Sequence, residues 1–96
     1  MILKKIIWTN HAKEKMKEYQ ISEARIRRIL KAPARIEKGI VEGTVAAMQK
    51  TGKKRTQELW VMYQDSPRQK KIISVWRYPG ETSPGELIIP EDAYFK

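Results

Sequence analysis

The spacing of apolar residues changes along this chain, and each change predicts an element. Ile2 to Trp8 is a short apolar run that predicts a first strand. From Asn10 to about Tyr19 the period becomes helical, with Asn10 as a suitable N-cap. At about 100° per residue, Ala12, Met16 and Tyr19 form one stripe for the core. His11, Lys15 and Glu18 then make a row along one edge of that stripe, at the boundary between core and solvent. A second helix starts after Ser22, another N-cap, and ends at Lys31-Ala32 before Pro33. It buries Ile26, Ile29 and Leu30, turns Arg27, Arg28 and Lys31 outward, and leaves Arg25 at an edge.

Beyond Arg35 the period becomes that of strands. Ile36 to Glu42 alternates, Gly43-Thr44 turns the chain, and Val45 to Lys50 continues. Thr51 to Lys54 is a hairpin connection. Glu58 to Gln64 is apolar on both faces, Leu59, Val61 and Tyr63 against Trp60 and Met62. After the turn at Asp65 to Arg68, Lys71 to Tyr78 repeats this, with Ile73 and Val75 opposite Ile72 and Trp76. Strands with two apolar faces belong at the centre of a sheet covered on both sides. Pro79-Gly80 and Pro84-Gly85 bracket a loop, Leu87 to Ile89 is a short strand or a clamp, and Pro90 opens a terminal helical turn. The pattern predicts one α+β domain over residues 1–96. An N-terminal strand and two helices pack on a mostly antiparallel sheet of four to five strands, and residues 79–96 form a Pro/Gly loop and an acidic extension.

Charge adds a partner class. Residues 1–80 carry 19 Lys and Arg against 7 Asp and Glu, a net +12, whereas residues 81–96 are net −3. A cationic body of this kind attracts polyanions by neutralising phosphates and releasing counterions. The chain has no cysteine and one histidine, so no disulfide framework, metal site or cofactor is expected. No apolar run approaches the roughly 20 residues that cross a bilayer, and the lysine-broken N-terminus does not read as a signal peptide. No membrane partner and a cytoplasmic location are the expectations.

One stretch of the sequence also resembles a family. His11-Ala12-Lys13-Glu14-Lys15-Met16, Ile21-Ser22-Glu23-Ala24-Arg25-Ile26, Val61-Met62-Tyr63 and Ile72-Ile73-Ser74-Val75 match the motifs of an uncharacterised bacterial domain family, over roughly residues 8–78. That family looks like a relative of the RelE, ParE and BrnT toxins, which carry two N-terminal helices on a small antiparallel sheet. The resemblance implies such a fold, an RNA target and an antitoxin partner; the RelE and BrnT branches are metal-independent ribonucleases, and the ParE branch is not. Lys71 to Arg77 is similar to the basic-Ile-Ile-Ser-Ala-Arg strand of BrnT, but Trp76 takes the place of the arginine and Arg77 follows one residue later. Such an offset points a strand residue to the opposite face unless a bulge intervenes.

Metal-free RNA cleavage needs a base, a cationic partner for the phosphorane and an acid for the leaving group. His11 is the residue type that transfers protons near neutrality, or else it caps the helix or bonds a backbone carbonyl. Lys15, one turn along, would bind phosphate, or else pairs with Glu14 or Glu18. Arg77 would hold phosphate bidentately and Tyr78 would offer a hydroxyl or a stacking face, unless the end of that strand packs beneath Leu87 to Ile89. Arg25, Arg27 and Arg28 on the second helix, with Lys50, Lys53, Lys54 and Arg55 around the hairpin, are two clusters suited to nucleic-acid backbone. Trp60 and Trp76 would stack bases, or else, at strand spacing in apolar runs, belong to the core. The sequence thus leaves open an RNA-binding ribonuclease of toxin type, a non-catalytic nucleic-acid or protein-interaction module, and a homo-oligomer built by the acidic tail on another copy's basic face.

Overall fold

Thr9, in extended conformation, rather than Asn10, closes the start of the first helix, its hydroxyl accepting from the Ala12 N–H. The same hydroxyl donates to the Ile72 carbonyl at 2.7 Å, so one side chain both caps the helix and ties it to the sheet. The computed structural model describes residues 4–94; the expected strand positions Ile2 and Leu3 lie outside the described residues. In order, the elements are β1 (Lys5–Trp8), α1 (Asn10–Tyr19), α2 (Glu23–Lys31), β2 (Arg35–Lys38), β3 (Thr44–Thr51), β4 (Gln57–Asp65), β5 (Gln69–Tyr78) and α3 (Glu91–Tyr94). They form a single α+β domain around one mixed sheet ordered β1-β5-β4-β3-β2, in which only β1 runs parallel to its neighbour. Among the described residues no helix is long and apolar enough to cross a membrane.

The sheet is covered on both faces, as the two-sided apolar strands require. Ala47, Leu59, Val61, Tyr63, Ile72 and Val75 meet Ala12, Ile21, Ile26 and Ile29 of the helical layer. The other face, with Ala46, Met48, Trp60, Met62 and Trp76, lies under the chain after β5, where Leu87, Ile89 and Ala93 pack. Leu87 to Ile89 is therefore a clamp and not a strand. Trp60 and Trp76 stack there with ring centroids 6.1 Å apart and planes 10° from parallel.

Two expectations about the strands are corrected. β2 spans only Arg35–Lys38 instead of Ile36 to Glu42, because Gly39 bonds back to Thr44 and the chain turns early. In β5, Met62 pairs with Ser74 but Tyr63 pairs with Ile72, so Ile73 is an extra, bulged residue. The bulge puts Ile72 and Val75 on the helix side, and Ile73, Ser74 and Trp76 on the other. Trp76 and Arg77 lie beyond it and still face opposite ways, paired with Trp60 and Leu59.

β1 pairs only the first half of β5, Gln69 to Ile72. The second half of β5 is a free edge, and α1 runs along it, from His11 near Ser74 to Tyr19 near Arg77. One edge of α1 consequently looks toward the tail-covered face.

Candidate functional site

Two regions collect the polar groups singled out in the sequence. The first lies where α1 meets α3. His11 is half-buried, and its Nε2 is 2.6 Å from the Ala93 carbonyl. A carbonyl only accepts, so Nε2 carries the hydrogen and donates it. Ser74 Oγ donates to the same carbonyl. One turn along, Lys15 is buried despite its charge, with Nζ 2.7 Å from Glu18 and 3.6 Å from Asp92. Its ammonium pKa is raised, first by the Glu18 hydrogen bond; burial opposes this and the Asp92 charge adds to it. Tyr19, a further turn along, donates its hydroxyl to Asp92 at 2.9 Å, and burial together with that carboxylate pushes the phenol up to about 12. The helical spacing had paired His11 and Lys15 with Glu18; the structure extends the row to Tyr19, which the periodicity had assigned to the core.

The second region is the end of the sheet where β3 and β5 stop and β4 begins. Arg25 reaches across to donate to the Lys50 carbonyl at 3.2 Å. Arg77 donates to Gln57 Oε1 at 3.1 Å and to the Tyr19 carbonyl at 2.9 Å, closing the C-terminal end of α1. Burial, then the nearby charges of Arg28 and Arg77, pull the Arg25 pKa down, and Arg25 Nε is buried without a hydrogen-bond partner among the described residues. The β3–β4 hairpin projects Lys53, Lys54 and Arg55 from the same end. Gly52 makes that hairpin: its φ is +103° and a Cβ would stand 2.0 Å from the Arg55 carbonyl oxygen. A cleft of about 190 Å³ lies beside it, lined by Arg55, Gln57 and Gly80. Among the described residues none of Arg25, Arg28, Lys53, Lys54, Arg55 and Arg77 forms an ion pair, whereas Lys50 holds Glu81 at 2.8 Å.

The placement of the remaining candidates follows from these two regions. Arg77 sits with the second region and not with His11: its partner carbonyl on Tyr19 is eight residues along α1, about 12 Å of helix axis. Tyr78 faces the opposite side of the sheet from Arg77, packed with Leu87 and Ile89. Arg27 stands apart from Arg25 and Arg28, paired to Glu23 at 3.1 Å and lying 5.7 Å from the Trp8 ring centroid. That tryptophan lines an open groove of about 520 Å³ between α1 and α2, with Lys13 and Lys17 on its wall. Lys13 and Lys17 face outward one turn apart on α1, a spacing visible in the sequence; that Trp8 sits beneath them is not.

The tail is held by a third group that sequence reading passed over. Glu58 is fully buried and accepts from the Trp60 indole N–H, the Thr82 N–H and the Thr82 hydroxyl. Arg35 lies 4.0 Å from Glu58, over the Trp60 ring at 5.2 Å, and donates to the Thr82 carbonyl. A buried carboxylate is tolerable only with such a set of donors. Its partner at residue 82 gives no local signal in the sequence.

His11 and Ala12 in the first turn of α1 and Ile72 to Val75 in the middle of β5 frame the first region, and both lie within a stretch that matches a family. The chain belongs to the family described as Domain of unknown function (DUF4258), which it matches over residues 8–88. No curated protein and no solved structure matches it.

Proposed function

We propose that this protein binds RNA, and that the phosphate backbone lies across the basic end of the sheet. One observation carries the reading: Arg25, Arg28, Arg77, Lys53, Lys54 and Arg55, drawn from three segments of the chain, gather at one end without an ion pair among the described residues. Burial first, and then the charges of Arg28 and Arg77, disfavour the charged form of Arg25, and an anion bound there would offset that repulsion. The kinship with RelE, ParE and BrnT toxins, suggested by the motifs on α1 and β5, belongs to the same proposal and favours RNA as the polyanion.

The geometry supports binding better than cleavage. His11 donates its Nε2 hydrogen to Ala93, and Arg77 stands at the other end of α1, on the Tyr19 carbonyl about 12 Å of helix away. A base and a phosphate-holding cation must meet at one atom of the substrate for proton transfer to count. His11 and Arg77 do not meet, and Lys15, one turn from His11, is held by Glu18 and Asp92.

The test measures binding of a structured RNA at several salt concentrations for the natural protein and for a variant with Lys53→Gln, Lys54→Gln and Arg55→Gln. The slope of log affinity against log salt falls by about one for each phosphate contact removed. Equal slopes and affinities would sink the proposal.

A further inference from the structure

The cluster where α1 meets α3 presents four donors and only acceptor oxygens facing them. His11 Nε2–H and Ser74 Oγ–H both point at the Ala93 carbonyl. Tyr19 donates to Asp92 Oδ2, and Lys15 Nζ stands 3.6 Å from the same oxygen. The donors come from a helix and a strand that pack on each other, so they keep their places whatever lies opposite. The acceptors come from a four-residue turn at the end of the acidic segment. Convergent donors on rigid elements, including a buried ammonium, are how proteins hold an oxyanion.

We infer that the cradle of His11, Lys15, Tyr19 and Ser74 is a phosphodiester-binding site that the chain's own Asp92 and Ala93 fill in cis. The inference rests on the RNA-binding reading and adds a second subsite to it. A phosphodiester offers two acceptor oxygens and one negative charge, the same complement that Asp92 and Ala93 bring. Glu18 remains on Lys15 at 2.7 Å in either case, so the ammonium serves both carboxylate and phosphate.

Two further observations indicate that the filler can leave. The Asp92 side chain is 58% exposed, so its contacts are at the surface. Ala93 packs in the same cluster as Trp76, whose indole N–H is buried without a partner among the described residues. Among those residues the covering segment leaves this polar group unsatisfied, a closure that competes poorly with alternatives. Meanwhile Glu58 and Arg35 hold Thr82 firmly, so release at residues 92 and 93 would leave the segment anchored at its start.

The experiment uses the full chain and a dinucleoside monophosphate too short to span the distance to the basic end. Binding is followed by the His11 ring resonances, with inorganic phosphate as a second probe. Asp92→Ala removes the charge of the filler at an exposed position and is expected to tighten dinucleotide binding by about three- to tenfold, since less of the protein is closed to it. Adding Lys15→Gln to Asp92→Ala should remove the gain. Inorganic phosphate should compete with the dinucleotide at the same ring resonances.

Unchanged or weaker dinucleotide affinity in Asp92→Ala overturns the inference, as does a gain that survives Lys15→Gln or a cradle that takes inorganic phosphate alone. The salt-slope measurement on structured RNA is independent of these variants, so the basic end and the cradle can each fail without the other.

Discussion

At the level of single residues, side chains with chemical capability are engaged by neighbours far away in sequence. His11 and Ala93 are 82 positions apart, and no spacing rule could have joined them. What the sequence did show was the row on α1, because helical periodicity alone places His11 and Lys15 on one edge. Tyr19 was assigned to the core from the same periodicity, yet its hydroxyl reaches Asp92. Its behaviour in alkali follows. A phenol raised to about 12 is held neutral by the fold, whereas in the unfolded chain it ionises near 10. The stabilisation is complete below pH 10 and is lost as pH rises from there through about 12. Burial and then Asp65 also raise Tyr63, so phenolate absorbance, compared between the natural chain and Tyr19→Phe, should assign one of the late-titrating tyrosines to position 19. Asp92→Asn should bring it only part of the way down, because burial is the larger cause. A Tyr19 that titrates with the ordinary phenols would contradict the contact.

At the level of elements, most of the fold was legible. Both helices, the hairpin at Gly52 and the central strands stand close to where the periodicities put them. The exceptions have physical causes. A bulge at Ile73 changes the face of every later residue in β5, and nothing in Ile72-Ile73-Ser74-Val75 announces it. The early end of β2 depends on the Gly39–Thr44 turn. The covering segment is the least legible element, because it is neither helix nor strand and its attachment runs through a buried carboxylate. Glu58 sits in an otherwise apolar strand, and the donors that justify it lie at residues 35, 60 and 82. Replacing Glu58 by Ala takes the acceptor from the Trp60 indole N–H and from the Thr82 N–H and hydroxyl, while Arg35 keeps Glu37, and should lower unfolding stability by about 3–5 kcal/mol in chemical denaturation. Amide exchange in residues 79–89 should quicken more than in α1. A loss under about 1 kcal/mol would mean that the segment is held by its apolar contacts alone.

At the level of the whole molecule, Arg25 and Arg28 of one basic cluster join the hairpin cluster on one surface, while Arg27 stands apart on Glu23 and Trp8. The order of segments hid this, since Arg25 and Arg28 precede the hairpin by more than twenty residues. The antiparallel β3–β4 connection brings the hairpin back to the end of the sheet where α2 begins, and Arg25 bonds the Lys50 backbone there. Arg77 arrives at the same end because β5 stops beside the start of β4. The acidic segment meanwhile packs its apolar residues over the tryptophan-bearing face of the sheet, and its Glu81 pairs with Lys50 at the edge of the basic end. A molecule built this way should show a local footprint for RNA and not a diffuse one. The most direct measurement is a backbone amide shift map during titration with a structured RNA at moderate salt. The account predicts that the largest changes fall on Arg25, Arg28, residues 50–57 and Arg77. Changes centred instead on the β2 edge or the β4–β5 turn, or none at any residue, would contradict it.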